Sequence, residues 1–143
     1  MNTLENTRIG IIGLGYVGLP LAVACSKTYN VVGFDINTAR VSALNSGQDH
    51  TQEIASIDLK EALSQGLSLT NDLQDLKTCN FYIVTVPTPV DKNNKPDLSP
   101  LISASKTVGS IIEKGDVVVY ESTVYPGATE EECIPIVESE SGL

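Results

Sequence analysis

The chain has 143 residues, 18 acidic against 9 basic, for a formal net charge of -9 at pH 7. That length suits one domain with a core that needs no staples, and a hydrophobic content of 41% is that of a globular protein rather than a disordered one. The acidic excess and an aromatic content of 5% argue against nucleic acid, whose phosphates need cations and whose bases need stacking platforms. The cysteines Cys25, Cys79 and Cys133 and the single histidine His50 have no metal-ligand spacing, so neither a metal site nor a disulfide framework is expected.

In chain order, residues 8–12 read as a short buried strand and 17–27 as a helix apolar nearly all round. Residues 31–34 are the next strand. Asn37 can cap a helix over 38–46, with Ala39, Val41 and Leu44 near one stripe and Gly47 ending it. A polar loop over 47–56 leads to an amphipathic helix over 57–65, stopped by Gly66, and to a short strand at 67–69. Residues 72–77 form a turn or short helix. Residues 81–86 form a strongly β-prone strand whose continuous apolar character suits a sheet covered on both faces. A long loop over 87–100 precedes a helix within 98–112 that turns Leu101, Ile102, Val108, Ile111 and Ile112 inward. Gly115 breaks it, and 117–120 is a last strand at one edge of the sheet. A helix over about 128–138 should be kinked or split at Pro135.

Strands separated by helical crossovers imply a parallel sheet with helices on both faces. Residues 9–25 carry no charge and follow Arg8, like the hydrophobic part of an export signal. Gly10, Gly13, Gly15, Gly18 and Pro20 inside the stretch, and Glu5 before it, argue against that reading. A cytoplasmic protein without a membrane partner is expected.

The glycine spacing has a better explanation. Gly13, Gly15 and Gly18 form a G-x-G-x-x-G turn between a strand and a helix, and Asp35 follows 22 residues after Gly13 at the end of the next strand. Gly13 allows a tight turn, Gly15 lets a diphosphate approach the backbone, and Gly18 lets helix and strand pack closely. The helix amino end offers N–H groups and a positive dipole to the phosphates. Asp35 can accept both ribose hydroxyls and repels a 2′-phosphate, which favours NAD over NADP. Arg40 pulls the other way, because a nearby arginine can accept that phosphate. The plain alternative is a loop with an exposed aspartate. The fold class expected is α/β: a Rossmann-like, doubly wound parallel sheet in three αβα layers, one domain over residues 1–143.

Further along, the segments at 81–91, with Val86, Pro87, Thr88 and Pro89, and at 121–127, with Ser122, Thr123, Val124, Tyr125, Pro126 and Gly127, are more specific. Together with the turn at 13–20 and the segment 33–37, they resemble the nucleotide-sugar 6-dehydrogenase family, the UDP-glucose and GDP-mannose enzymes and their relatives. The segments 47–53 and 94–98 are most similar to its UDP-N-acetylhexosamine branch. The resemblance implies NAD-dependent oxidation of the C6 alcohol of a nucleotide sugar to a carboxylate, for surface polysaccharide synthesis, by a full-length homo-oligomer. It places Gly13, Gly15 and Gly18 at the diphosphate, with the Tyr16 and Val17 backbone near the cofactor. Asp35 and Arg40 then flank the adenine ribose, and Pro87 and Thr88 lie at the cofactor. Thr123 lies near the nicotinamide, supporting catalysis by positioning a water or the reacting oxygen. Thr88 can instead merely close a turn between prolines, and Thr123 can cap a helix or end a strand.

The resemblance also implies a nucleophilic cysteine in a later domain, with a helical centre and a nucleotide-sugar domain beyond these residues. Cys25, Cys79 and Cys133 have the wrong setting for that role and are expected to be structural. The competing readings are a stand-alone dinucleotide-binding or redox-sensing module, and the cofactor half of a hydroxyacid-type dehydrogenase.

Overall fold

The computed structural model describes residues 3–143. Strand β1 (Arg8–Ile12) leads into helix α1 (Gly18–Ser26), then β2 (Asn30–Phe34), α2 (Thr38–Asn45), α3 (Ser56–Ser64) and β3 (Ser68–Thr70). Helix α4 (Leu73–Leu76), β4 (Phe81–Val84), α5 (Ser99–Gly109) and β5 (Val117–Tyr120) follow. A π-helical turn (Thr129–Cys133) and α6 (Ile134–Ser141) close the chain.

The sheet runs in the order β3-β2-β1-β4-β5 and every pairing is parallel. The chain winds outward from β1 to β3, then returns to the other side of β1 to begin β4. Ile12 is in register with Phe34 on one side and Val84 on the other. The carboxyl ends of β1, β2 and β4 thus meet at the point where the winding reverses, which is where open α/β sheets hold their ligands.

Side-chain alternation along the strands divides the core in two. Ile9, Ile11 and Ile83 pack on one face against Leu19, Ala22, Leu44 and Leu59 of α1, α2 and α3. Ile12, Tyr82 and Val84 pack on the other against Leu76, Leu101, Val108 and Cys133. These are the three expected layers. Tyr82 is fully buried and its hydroxyl lies 3.0 Å from the Leu76 carbonyl and 2.9 Å from that of Cys79, which anchors the entry to β4.

Several boundaries differ from the sequence reading. The strand read as 81–86 leaves the ladder after Val84; the Thr85 N–H still donates to Ile12 at 2.9 Å, but Pro87 has no N–H to continue. The long loop is a small hairpin. Val90 bridges Pro96, the Asp91 carboxylate accepts the N–H groups of Asn93 and Lys95, and Asn94 takes a left-handed φ of 58°. Ala39 is exposed, so the buried stripe of α2 is Val41 and Leu44. The last helix splits one residue before Pro135 and runs on to Ser141, with the proline in its first turn, where a missing N–H costs little. β5 is an edge strand as expected, and α6 packs on α5. No helix of the described residues is long and apolar enough to cross a membrane.

Candidate cofactor site

A cleft of about 410 Å³ opens at the switch point. Gly13, Leu14 and Gly15 form its floor. Phe34, Asp35, Ile36, Asn37 and Arg40 form one wall. Val86 and Pro87, after β4, and Pro100, Ser103, Ala104 and Thr107, on α5, form the other.

The turn between β1 and α1 depends on its glycines in different ways. Gly13 sits at φ +104°, with the Val86 backbone nitrogen 3.0 Å from where a Cβ would lie. A Cβ on Gly18 would collide with the Gly13 carbonyl oxygen and the Thr85 hydroxyl. A Cβ on Gly15 would meet nothing within 4 Å, so that space is open for a ligand. Thr85, buried, fastens the turn from below by donating to the Gly13 carbonyl at 2.7 Å. The Leu19 N–H donates to Gly15 at 3.2 Å, so helical winding begins just after that glycine and its first N–H groups are directed at the mouth of the turn.

Asp35 is built into the same frame. One carboxylate oxygen accepts the Leu14 N–H at 2.9 Å and the other accepts the Asn37 N–H at 2.9 Å. Each oxygen keeps a second lone pair for a hydroxyl. Arg40 lies alongside: its Nε donates to the Leu14 carbonyl at 2.9 Å, one Nη to Asp49 at 2.9 Å, and the other Nη contacts the Thr51 hydroxyl at 3.4 Å. Burial disfavours the Asp49 charge, but the Thr51 hydroxyl, the Ile54 N–H, Arg40 and the Thr51 N–H outweigh it and hold the carboxyl well below the usual range.

The cleft therefore brings together Gly13, Gly15, Asp35, Arg40 and Pro87. Gly18 lies beneath it as the packing glycine. Tyr16 and Val17 are exposed at 69% and 53% and stand outside the lining. Thr88 and Thr123 also lie outside it, joined to each other by the Thr88 hydroxyl donating to the Thr123 carbonyl at 2.6 Å. With the Ser122 hydroxyl on the Val86 carbonyl at 2.7 Å, this bond zips the segments after β4 and β5 together. Sequence reading missed Thr85, Asp49 and the α5 wall. Ser103 and Thr107 are small polar residues on the helix side left free by its apolar stripe, the one signal that could have marked that wall.

The cysteines stand apart from the cleft. Burial pushes Cys79 up to about 11 and raises Cys25 and Cys133 as well, so all three thiols are poor nucleophiles. For Cys133 burial raises the thiol more than the neighbouring Glu132 does, with the Ser105 hydrogen bond acting in the opposite direction. Among the described residues no cluster could hold a metal ion.

The residues present fit a dinucleotide: an uncluttered glycine turn at a helix start, and a fixed carboxylate with spare acceptor capacity beside it. Comparison with known proteins agrees. The chain is 54% identical over 140 residues to UDP-N-acetyl-D-glucosamine 6-dehydrogenase of Pseudomonas aeruginosa, covering 98% of this chain and 33% of that protein. The structure of UDP-D-ManNAc dehydrogenase from Pyrococcus horikoshii superposes with a TM-score of 0.88 at 41% identity, over 96% of this chain and 33% of that one. A ternary complex of GDP-mannose dehydrogenase from Pseudomonas aeruginosa gives 0.86 at 29% identity, over 96% and 33%. The chain thus spans about a third of the length of these relatives, and the competing readings of a stand-alone module or a hydroxyacid-type enzyme are not favoured. The profile of the UDP-glucose/GDP-mannose dehydrogenase family, NAD binding domain, matches residues 7–143, and this chain belongs to that family as an NAD-binding domain.

Proposed function

We propose that this chain is the cofactor domain of an NAD-dependent UDP-N-acetylhexosamine 6-dehydrogenase, a cytoplasmic homo-oligomer whose sugar-nucleotide domain and cysteine nucleophile lie outside these residues. The observation that carries the reading is the joint geometry of the glycine turn and Asp35, tied through the Leu14 N–H at 2.9 Å. Bound there, NAD supplies the hydride acceptor for oxidation of a C6 alcohol.

The chain's own residues bind and orient. The backbone from Gly13 to Gly18, including Tyr16 and Val17, receives the diphosphate. Asp35 accepts the adenosine ribose hydroxyls. Pro87 and Thr88 fix the far wall. Thr123, whose carbonyl accepts from the Thr88 hydroxyl, positions a water or the reacting oxygen and does not act as the nucleophile. Relatives named UDP-N-acetyl-D-glucosamine 6-dehydrogenase and UDP-N-acetyl-D-mannosamine dehydrogenase support the choice of sugar.

Calorimetry on this chain with NAD and NADP tests the reading. NAD is expected to bind more tightly. Equal or tighter binding of NADP overturns the role given to Asp35, and failure to bind either overturns the cofactor site.

A further inference from the structure

We infer that Asp49 is a specificity-determining residue of the cofactor site: it engages the Arg40 guanidinium and so removes the one cation that could receive the 2′-phosphate of NADP. The inference rests on the NAD-binding reading and extends it to a residue in a loop that does not itself line the cleft.

An arginine close to the ribose-binding acid is the usual receptor for a 2′-phosphate. Arg40 has that position, on the same wall as Asp35, but each of its three nitrogens already has a partner. Nε is bound to Leu14, one Nη to Asp49 at 2.9 Å, and the other approaches Thr51. Asp49 is itself saturated. Oδ1 accepts from Arg40, the Thr51 N–H and the Thr51 hydroxyl; Oδ2 accepts from the N–H groups of Glu53 and Ile54. The Asp49 side chain is 0% exposed and that of Arg40 12%. A phosphate that took the N–H facing Asp49 would have to draw the guanidinium from a buried carboxylate that accepts five hydrogen bonds, leaving that charge without its cation, which is far costlier than leaving a solvated phosphate in water.

Leu14 connects the two determinants. Its N–H holds Asp35 and its carbonyl holds Arg40, both at 2.9 Å. Asp35 repels the 2′-phosphate, and Asp49 ensures that Arg40 does not compensate. The loop between α2 and α3 is therefore a selector and not a mere connection.

The test is calorimetry with NAD and NADP on the wild-type chain, on Asp49→Asn and on Arg40→Met/Asp49→Asn, with folding followed by circular dichroism. In folded Asp49→Asn the preference should move about tenfold toward NADP, the scale of one charge-assisted hydrogen bond, and the double variant should lose that gain. A loop that only supports the fold weakens both cofactors alike; an unchanged ratio in folded Asp49→Asn overturns the inference while leaving NAD binding intact. Because Asn cannot accept all five bonds, a second measurement uses the wild type. The Arg40 guanidinium ¹⁵N signals should be the same with saturating ADP and with saturating 2′,5′-ADP. A shift seen only with 2′,5′-ADP shows that Arg40 reaches the phosphate, and overturns the inference. A wild-type chain that binds neither cofactor overturns the NAD reading and this inference with it.

Discussion

Glycines 15 and 18 show how identical residues in one motif do different work. At Gly18 a methyl group collides with the Gly13 carbonyl and Thr85, so even alanine must open the turn, an overpacking that costs about 1–3 kcal/mol. At Gly15 the first 4 Å beyond a Cβ is empty. Gly15→Val should therefore leave the thermal midpoint of the free protein within a few degrees, while the branched side chain fills the space a diphosphate enters and weakens NAD at least tenfold. Calorimetry paired with a melting curve separates the two. A folded Gly15→Val with wild-type affinity would show that this glycine serves only the chain's turn. The spacing of the motif made both positions legible in the sequence. It could not reveal that Thr85, in a strand-like segment 72 residues from Gly13, props the turn from beneath, because nothing local distinguishes a buried threonine that bonds a distant carbonyl from one that ends a strand.

The elements divide by how much of each is buried. α1 and α5 each place several residues in the core, whereas α6 has no buried residue and packs on α5, where Gly109 allows close approach. A Cβ at Gly109 would lie 2.7 Å from Glu140 Cβ and 3.1 Å from the Val137 carbonyl oxygen. α6 should then open locally, well below the free energy of global unfolding, and its amides should exchange much faster than those of β1 and β4. Gly109→Val should speed exchange in α6 further and leave the sheet nearly unchanged. Equal protection of α6 and β1 in hydrogen-exchange measurements contradicts this. Strand and helix identities were largely readable, since the apolar runs of β1 and β4 and the capping Asn37 act locally; Asn37 accepts the Arg40 N–H at 3.0 Å as its position suggests. Ends were less so. β4 stops where its neighbours' ladders stop, and the hairpin bridged by Val90 and Pro96 forms through Asp91 and a left-handed Asn94, contacts that composition alone reads as an irregular loop. The Arg40–Asp49 pair was hidden for a similar reason: the loop at 47–56 reads as polar and irregular, yet it folds back to bury its aspartate side chain.

At the scale of the whole molecule, what the cleft lacks is as informative as what it holds. Its titratable lining residues are Asp35 and Arg40, the first bonded to two backbone N–H groups and the second to Asp49. His50 is exposed on the loop between α2 and α3, outside the cleft lining. Cys79 and Cys133 are buried in the core behind the sheet and Cys25 is half-buried in α1, all with raised thiol values. Oxidation of an alcohol to an acid passes through an aldehyde that must be held while a second NAD enters, and a thiolate near the cofactor is the ordinary means. None of these thiols can serve. The first oxidation, to the aldehyde, must also release the alcohol proton, and the cleft lining offers no base beyond Asp35, which is given to the ribose. The chain alone should therefore bind NAD and yet form no NADH with UDP-N-acetylglucosamine, UDP-N-acetylgalactosamine or UDP-glucose, even at high protein concentration. Absorbance at the NADH band is the measurement, run beside the calorimetry so that silence in turnover is read against proven binding. Turnover that disappears on changing Cys25, Cys79 or Cys133 to serine would mean that one of these buried thiols emerges to the cofactor, and that this domain carries a nucleophile of its own.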